Sequence, residues 1–248
     1  MSFIFSGDTH GDFRKFSSQY FPDQKNLTRS DYVIICGDFG GVWLKDKTEN
    51  YWLDWLEDKP FTTLFVDGNH ENYDLLKEYP IEEWNGGKIQ RIRPHVIHLM
   101  RGQVYEIDGK RLFTMGGAKC HDISDGILEK DDPNFKQKLR QLQLNKAMFR
   151  VNHVSWWKEE MPSEEEYNEA RLNLEKAGWK VDYIVTHCAP DSIVKVIGND
   201  FYETDELTNF LEEVKGKCDF SHWFFGHYHD DMLIDEKFHL LYEKGIIV

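Results

Sequence analysis

The sequence predicts an α/β protein in which two mixed β-sheets form the core, helices lie outside them, and one helical insertion interrupts the order. Short apolar runs that alternate with helix-prone stretches are typical of parallel βα units. Other segments alternate apolar and polar residues around tight turns, which is typical of antiparallel strands. A charged, helix-prone segment at about 116–180 fits neither pattern.

Five apolar runs are expected to be buried strands because turn-forming residues bound them. They are Phe3 to Phe5, Tyr32 to Cys36, Thr63 to Val66, Tyr183 to Val185 and Trp223 to Phe225. Each is followed within a few residues by glycine, aspartate, asparagine or histidine. Polar side chains are therefore expected on loops at strand ends, where open α/β sheets place their functional sites.

Helices are expected between these strands, and antiparallel strands elsewhere. The helical stretches are Thr48 to Glu57, Asn72 to Glu78 and Glu203 to Val214. Alternation from Val96 to Met115 around Asp108-Gly109 predicts a hairpin. The tract from Met232 to Val248 predicts consecutive strands, with turns near Asp235-Glu236 and Lys244-Gly245.

The segment at about 116–180 is expected to be an insertion or cap near the functional site. Ser163 followed by Glu166 is a capping box, which predicts a helix that continues towards Ala177-Gly178. The strand-end polar segments span nearly the whole chain, so a single domain at 1–248 is predicted.

The composition favours a globular protein with an acidic surface. The 248 residues suffice for one large domain with a buried core. The net charge is −14 and the pI is about 5.2. A surface this acidic repels phosphate backbones, so tight non-specific binding to nucleic acid or to an anionic membrane is not expected. Bound divalent cations would cancel part of this charge locally.

The cysteines and the N-terminus predict a soluble protein of the cytoplasm. The four cysteines, at Cys36, Cys120, Cys188 and Cys218, are far apart and form no C-x-x-C pair, as is typical of free thiols in a reducing compartment. Met1 to Phe5 runs directly into a polar segment that a cleaved signal peptide would remove. No apolar stretch approaches the roughly 20 residues that a membrane helix needs.

Five short segments end in residue types that bind divalent metals. They are Gly7-Asp8-Thr9-His10-Gly11, Gly37-Asp38, Gly68-Asn69-His70-Glu71, Thr186-His187 and Gly226-His227-Tyr228-His229. A single Asp-x-His triplet is more often a solvated loop, and Asn-His after glycine is usually a turn. Five such segments in order, most of them directly after an apolar run, indicate a metal centre suited to hydrolytic chemistry.

The spacing of these residues predicts two adjacent ions. Asp8 and His10 lie two residues apart, so both side chains can face one ion, to which His229 returns. The Asp38 carboxylate has two oxygens and can bridge two cations, which are then roughly 3.5–4 Å apart. The second ion is expected to take Asn69, His187 and His227. His70 points away from Asn69 and is expected near the leaving group, as a general acid or an electrostatic stabiliser that a nearby carboxylate holds protonated near neutral pH.

The order Gly-Asp-x-His-Gly, Gly-Asp, Gly-Asn-His-Glu, His and Gly-His-x-His closely resembles the calcineurin-like metallophosphoesterase superfamily across nearly the entire chain. The resemblance implies a two-sheet β-sandwich flanked by helices and a dinuclear centre of Mn, Fe, Zn or similar ions, of which Mn is favoured. By motif it implies one ion held by Asp8, His10, Asp38 and His229, and a second held by Asp38, Asn69, His187 and His227.

One departure from the family pattern bears on the substrate. Protein serine/threonine phosphatases of the superfamily carry Gly-Asp-x-x-Asp-Arg-Gly at the second motif, whereas this chain reads Gly37-Asp38-Phe39-Gly40-Gly41-Val42-Trp43. The arginine that grips phosphate is therefore missing. Phosphate contacts are expected from the metals, from His70 or from residues of the insertion, for which the candidates are His121, Arg140, Lys146 and Arg150.

The predicted function is hydrolysis of a phosphate ester by a hydroxide that bridges two divalent metals, with Asp38 and His70 as catalytic residues. The acidic surface and the capped site favour a small or medium phosphorylated substrate, while the choice of monoester or diester and any protein partner stay open. One alternative is a phosphodiesterase or nuclease with the same centre. Another is a binding or scaffold protein that keeps the fold without catalysis.

Other histidines and tryptophans are expected to have structural roles. His95, His98, His153, His222 and His239 fit no ligand spacing and are expected to be surface or satisfied core residues. Trp52, Trp55, Trp156 and Trp157 are expected to pack, and an aromatic wall for a nucleobase is the alternative.

Overall fold

Two facing β-sheets carry the fold, and helices cover their outer surfaces. The computed structural model describes residues 1–198 and 202–248. The first sheet contains β1 (Phe3–Ser6), β2 (Tyr32–Cys36), β3 (Thr62–Val66), β4 (Ile81–Trp84), β5 (Gly87–Arg93), β6 (Val96–Leu99) and β15 (Gly245–Ile247). The second contains β7 (Gln103–Ile107), β8 (Lys110–Met115), β11 (Tyr183–Thr186), β12 (His222–Phe225), β13 (Met232–Ile234) and β14 (Phe238–Leu240). A separate pair is formed by β9 (Ile127–Leu128) and β10 (Arg150–Val151). The helices are α1 (Lys47–Glu57), α2 (Tyr73–Leu76), α3 (Phe135–Leu144), α4 (Glu164–Lys176), α5 (Asp191–Gly198) and α6 (Glu206–Lys217).

Both sheets are mixed, which confirms the predicted fold class. The first has the order β15-β1-β2-β3-β6-β5-β4, with β1, β2, β3 and β6 parallel and antiparallel strands at its edges. The second has the order β13-β14-β12-β11-β8-β7, with β8, β11, β12 and β14 parallel. Parallel strands end at one edge of a sheet, so the loops that follow them emerge side by side.

Alternation along the strands divides the apolar side chains among three layers. Phe5 of β1 and Phe224 of β12 lie between the sheets, where their rings stack with centroids 3.7 Å apart. Adjacent strand residues point to opposite faces. Ile4 therefore packs in the outer layer with α1, and Ile184 packs in the other outer layer with α4 and α6.

The predicted helices form, and capping side chains set where they begin. α1 follows Asp46, whose carboxylate accepts the Glu49 N–H at 2.8 Å. α6 begins at Glu206 rather than Glu203 because Asp205 caps it, and it extends past Val214 to Lys217. Asn72 caps α2 instead of lying inside it.

In each of two predicted groups of strands, the members belong to different sheets. β7 and β8 form the expected hairpin around Asp108-Gly109, but β6 pairs with β3 and β5 in the first sheet. β13 and β14 are antiparallel around Asp235-Glu236, whereas β15 crosses to pair with β1. Alternation of apolar residues identifies a strand but does not specify its sheet, because both sheets bury one face in the same interior.

The insertion contributes residues both to the buried core and to the surface. The capping box at Ser163 and Glu166 is present and opens α4. Tyr167, Ala170 and Leu174 of α4 belong to the buried outer layer of the second sheet, whereas α3 has no buried residue. How much of 116–180 acts as a cap stays a prediction.

The cysteines act as packing groups. All four, each inside the described ranges, are buried and have free thiols. Burial raises the pKa of Cys188 to about 12, so the thiol beside His187 is inert. Across the described ranges no helix combines the length and apolar character needed to cross a bilayer.

Candidate metal centre

The segments singled out in the sequence meet where the two sheets end. Asp8, Asp38 and Asn69 follow β1, β2 and β3, while His187 and His227 follow β11 and β12. The His227 N–H donates to Asp8 Oδ1 at 3.0 Å, and His187 Nδ1 lies 2.9 Å from the Cys36 carbonyl oxygen. These hydrogen bonds join the loops of one sheet to those of the other.

Asp8, His10, Asp38 and His229 form the first of two donor groups. One ligand atom from each lies within 4.8 Å of the others. His229 Nε2 is 3.2 Å from both Asp8 Oδ2 and His10 Nε2. His10 Nδ1 is 3.8 Å from Asp38 Oδ2. The four residues expected to hold one ion therefore lie together.

Asp38 also lies beside the residues expected to hold a second ion, Asn69, His187 and His227, which with Asp38 we call the second donor group. His187 Nε2 is 3.3 Å from Asp38 Oδ1 and 3.2 Å from Asn69 Oδ1. The rings of His187 and His227 have centroids 4.9 Å apart. Because the Cys36 carbonyl can only accept, His187 Nδ1 carries hydrogen and Nε2 is left to face a cation.

The backbone of the centre is held in an unusual conformation. Four donor residues have positive φ: His10 (48°), Asp38 (46°), His227 (71°) and His229 (50°). This left-handed region is uncommon for residues other than glycine, and each such residue costs about 1–3 kcal/mol. The surrounding hydrogen bonds must offset that cost, so the geometry of the centre is imposed by the fold.

Two glycines permit the close approach of the loops. Gly37 has φ +94°, and a Cβ there would lie 2.1 Å from His187 Nδ1. A Cβ at Gly226 would lie 2.1 Å from Asp8 Oδ1. Any side chain at either position would displace a donor residue.

The charges of the centre are coupled through Asp38. Burial alone would raise the pKa of Asp38, but the His187, His70 and His10 imidazoles hold it well below its usual range. Burial lowers the pKa of His187, yet Asp38 and Asp8 more than offset this, so His187 holds a proton that cation binding must release. Burial lowers the pKa of His227 well below its usual range, so this ring is neutral.

The donor set fits a divalent transition metal. Asp8 Oδ2 is buried, and although His229 Nε2 lies 3.2 Å away, this oxygen accepts no hydrogen bond of good geometry from the described residues, which is costly for a carboxylate oxygen. A cation among Asp8, His10, Asp38 and His229 would satisfy this oxygen. Mixed imidazole and carboxylate donors suit Mn, Fe or Zn.

Glu71 supports the centre from behind, although the sequence pattern assigned it no role. It is fully buried, and its two carboxylate oxygens accept the N–H groups of Phe39 at 2.6 Å and Gly40 at 3.3 Å. Burial and the nearby Asp38 raise the pKa of Glu71 well above its usual value. Its position in the segment Gly68-Asn69-His70-Glu71 was the sequence feature that could have indicated this supporting role.

Replacing Glu71 by glutamine is expected to weaken Mn²⁺ binding by about 10–100-fold, because a carboxamide can accept only one of the two N–H groups and the backbone after Asp38 shifts. Isothermal titration with Mn²⁺ measures the change. Glu212 accepts the Ser192 N–H on another helix, so Glu212→Gln is the matched control and should leave the affinity unchanged. Equal affinities in all three proteins would contradict the supporting role.

A lysine holds the first ligand loop without any sequence signal. Lys15 Nζ donates to the carbonyl oxygens of Gly7 at 3.0 Å, Asp8 at 2.8 Å and Tyr242 at 2.9 Å. Burial lowers the pKa of Lys15, and Asp8 partly offsets this. All three ammonium hydrogens are thereby used in fixing the backbone beside Asp8.

A buried ion pair supports the third ligand loop. Asp67 accepts from Arg101 Nε at 2.7 Å. The Tyr73 hydroxyl, which has one hydrogen to donate, lies 2.5 Å from the Gly68 carbonyl oxygen and 2.9 Å from Asp67 Oδ2. His98 Nε2 lies 3.2 Å from the other Asp67 oxygen. Burial alone would raise the pKa of Asp67, but Arg101 and His98 hold it well below its usual range.

Replacing Arg101 by methionine is expected to lower the free energy of unfolding by about 3–5 kcal/mol, because Asp67 would remain buried without its cation. Folding lowers the pKa of Asp67, so its contribution is complete above roughly pH 4 and is lost as the pH falls through the lowered value. Urea unfolding at pH 7 measures the change. Arg14 pairs with Asp12 at the surface with 73% of its side chain exposed, so Arg14→Met should change little. Equal stability of the two variants would contradict the assignment.

His70, His121 and Arg150 border the centre. The His70 N–H donates to Asp38 Oδ1 at 2.7 Å, and its ring lies 5.4 Å from that of His10. His121 Nε2 is 3.0 Å from His227 Nε2. Arg150 Nη2 donates to Asp122 at 2.6 Å. Burial lowers the pKa of His70, Asp38 opposes this shift and Arg150 adds to it, so the expectation that a carboxylate holds His70 protonated stays a prediction.

The remaining candidates lie elsewhere. Arg140 and Lys146 are exposed on and after α3, and no described contact links them to the centre. The other histidines have partners of their own: His95 with Glu57, His98 with Gln90 and Asp67, His153 with Asp74, and His222 with His239. Trp157 is fully buried, whereas Trp52 and Trp55 are half-buried.

Comparison with known proteins adds two findings. The family model for calcineurin-like phosphoesterases matches residues 1–231. The chain is 25% identical over 146 residues to lariat debranching enzyme A of Xenopus laevis, covering 52% of this chain and 26% of that protein. It is 25% identical over 145 residues to lariat debranching enzyme of Danio rerio, covering 52% of this chain and 24% of that protein. The chain thus matches about a quarter of the length of these curated relatives.

Proposed function

Because the chain belongs to the calcineurin-like phosphoesterase family, we propose that it hydrolyses a phosphate ester with the help of two divalent cations, of which Mn²⁺ is favoured. The observation that carries the proposal is the convergence of two donor groups on Asp38. Asp8, His10 and His229 complete the first, and the second is completed by Asn69, His187 and His227.

The residues of the centre have different roles in the reaction. When bound, the cations would lower the pKa of coordinated water and offset the charge that develops on the phosphoryl group. The side chains hold that geometry in advance, so little reorganisation is needed during the reaction. In the reaction, an oxygen from water forms a new bond to phosphorus, the bond to the leaving oxygen breaks, and the leaving oxygen receives a proton. His70 lies where it can donate a hydrogen bond or a proton to that oxygen.

Arg150 and His121 are proposed to contact the phosphoryl group. Arg150 Nε is buried and has no hydrogen-bond partner among the described residues, although Arg150 Nη2 is held by Asp122. An anion beside this guanidinium would satisfy it. His121 reaches the centre through its contact with His227. The two residues would replace the arginine that the second motif lacks.

The proposed substrate is a small or medium phosphorylated compound. Within this class we favour a diester, because the matched curated relatives are lariat debranching enzymes, at 25% identity and over about a quarter of their length. A scaffold without catalysis is disfavoured because every expected donor position is filled. Buried free thiols suit a reducing compartment, which supports the cytoplasm as the proposed location.

Hydrolysis of 4-nitrophenyl phosphate and of bis(4-nitrophenyl) phosphate, with and without Mn²⁺, tests this function. Turnover of at least one ester is expected with Mn²⁺, and chelation should abolish it. Arg150→Gln is expected to raise KM for the hydrolysed ester, because the neutral amide no longer attracts phosphate. Absence of metal-dependent turnover of both esters by a folded protein would contradict the proposal.

A further inference from the structure

A cavity of about 400 Å³ opens from the metal centre beside His10 and His70. These two histidines form the wall that it shares with the centre. The opposite wall consists of apolar side chains and bare backbone, from Phe13, Trp43, Leu44 and Trp52 with Gly11, Gly40 and Gly41. The volume falls in the range of small-molecule sites, and the cavity is continuous with the centre. We call it the aromatic pocket.

The tryptophan side chains of this pocket pack against the outer layer of the first sheet and also face the cavity. Trp43 contacts Trp157 edge-on with centroids 5.4 Å apart, and Trp52 contacts Phe13 edge-on at 6.2 Å. Both tryptophans pack on the outer layer of the first sheet yet also line the pocket. Leu44 at its rim is 68% exposed. Apolar surface left in water beside a polar centre is typical of a site that contacts the apolar part of a ligand.

The charges around the aromatic pocket restrict its occupant. Asp46 and Glu49 line it, and no lysine or arginine is among the described residues that do. The Glu49 carboxylate accepts the N–H groups of Trp43 at 2.7 Å and Leu44 at 2.6 Å. These two backbone hydrogen bonds hold the carboxylate in position. A second phosphate would be repelled by these carboxylates. The occupant therefore carries no negative charge.

We infer that the aromatic pocket receives the leaving group of the ester and selects a planar ring system without negative charge, of the kind found in nucleobases and other aryl groups. The inference rests on the proposed function. With phosphorus at the centre, a leaving oxygen near His70 directs its substituent into this pocket, where a ring can stack on Trp43 or Trp52. Stacking of a base on an aromatic side chain typically changes affinity by about 5–150-fold.

Two diesters distinguish the effect of the leaving-group ring on binding from the effect of leaving-group acidity on hydrolysis. Phenyl methyl phosphate and 2-naphthyl methyl phosphate have leaving groups of similar acidity but different ring area. With Mn²⁺, kcat/KM is expected to be about tenfold higher for the naphthyl ester. Leu44→Glu adds a carboxylate at the exposed rim of the pocket and should reduce this preference to about twofold. Leu172→Glu, at a position that is 56% exposed on α4, should keep the full preference.

Two outcomes overturn the inference. Equal kcat/KM for the two esters in the unaltered protein would do so, and so would a preference that Leu44→Glu leaves intact. Both of these leave the phosphoesterase activity standing. If the protein hydrolyses only monoesters, phenyl phosphate and 2-naphthyl phosphate give the same comparison. No metal-dependent hydrolysis of any of these monoesters and diesters would overturn the proposed function as well. Saturation-transfer NMR of adenosine with the metal-free protein gives a readout independent of turnover. Stronger transfer to base than to ribose protons, weakened by Leu44→Glu, would assign the ring to a nucleoside. No transfer, with the naphthyl preference kept, would assign it to another aryl ester.

Discussion

Replacing Asp38 by asparagine is expected to lower Mn²⁺-dependent turnover by more than about 100-fold, beyond the loss typical of residues that only orient a ligand. Asparagine keeps the volume and can still accept the His70 N–H that Asp38 Oδ1 accepts at 2.7 Å. It removes the anion that faces both donor groups, with His187 Nε2 at 3.3 Å on one side and His10 Nδ1 at 3.8 Å on the other. Initial rates with the preferred aryl ester measure the loss.

Thermal unfolding separates lost metal binding from lost folding. Mn²⁺ binds only the folded protein, so it should raise the midpoint of the unaltered protein by clearly more than that of Asp38→Asn. Asp182 precedes β11, at the opposite end of the strand that His187 follows, and pairs with Lys110. Asp182→Asn should therefore keep both the Mn²⁺ response and the turnover. Full activity in Asp38→Asn would contradict the shared role of this carboxylate.

Replacing His70 by alanine is expected to lower kcat by about 100-fold or more with metal binding nearly intact, because His70 borders the centre without belonging to either donor group. Its backbone N–H, which holds Asp38, is unaffected by the substitution. Rates with phenyl and 4-nitrophenyl esters distinguish its two possible roles. A larger loss with the poorer phenolate leaving group assigns proton donation, and equal losses assign hydrogen bonding.

A second histidine provides the comparison for His70. His95 binds Glu57 at 2.6 Å, at the end of β6 that lies away from the centre, so His95→Ala should keep kcat. A His70→Ala protein with unchanged kcat for both esters would remove His70 from the reaction.

The strands and the grouping of the donors could be predicted because both depend on local pattern. Asp8 and Asp38 each lie two residues after the end of a strand, and parallel strands bring such positions to one edge. The sequence therefore indicated that these loops meet, and the structure brings Asp8, His10, Asp38 and His229 together, with His187 beside Asp38 and Asn69. Their role as ligands stays a prediction.

The supports of the centre could not be predicted because they connect distant positions. Asp67 and Arg101 are 34 residues apart, and Lys15 bonds Tyr242 across 227 residues. Neither contact has a periodicity or a motif to reveal it. The crossing of β15 to the first sheet is similar, since three apolar residues specify a strand but not its partner. The aromatic pocket is also nonlocal, because Phe13 and Trp52 meet only in the fold.

Equilibrium dialysis against Mn²⁺, followed by metal analysis, tests the central role of Asp38. Two ions per chain are expected for the unaltered protein, and at most one for Asp38→Asn, because each donor group needs this carboxylate. A stoichiometry of one or less in the unaltered, folded protein under saturating Mn²⁺ would contradict a pair of cations joined by Asp38.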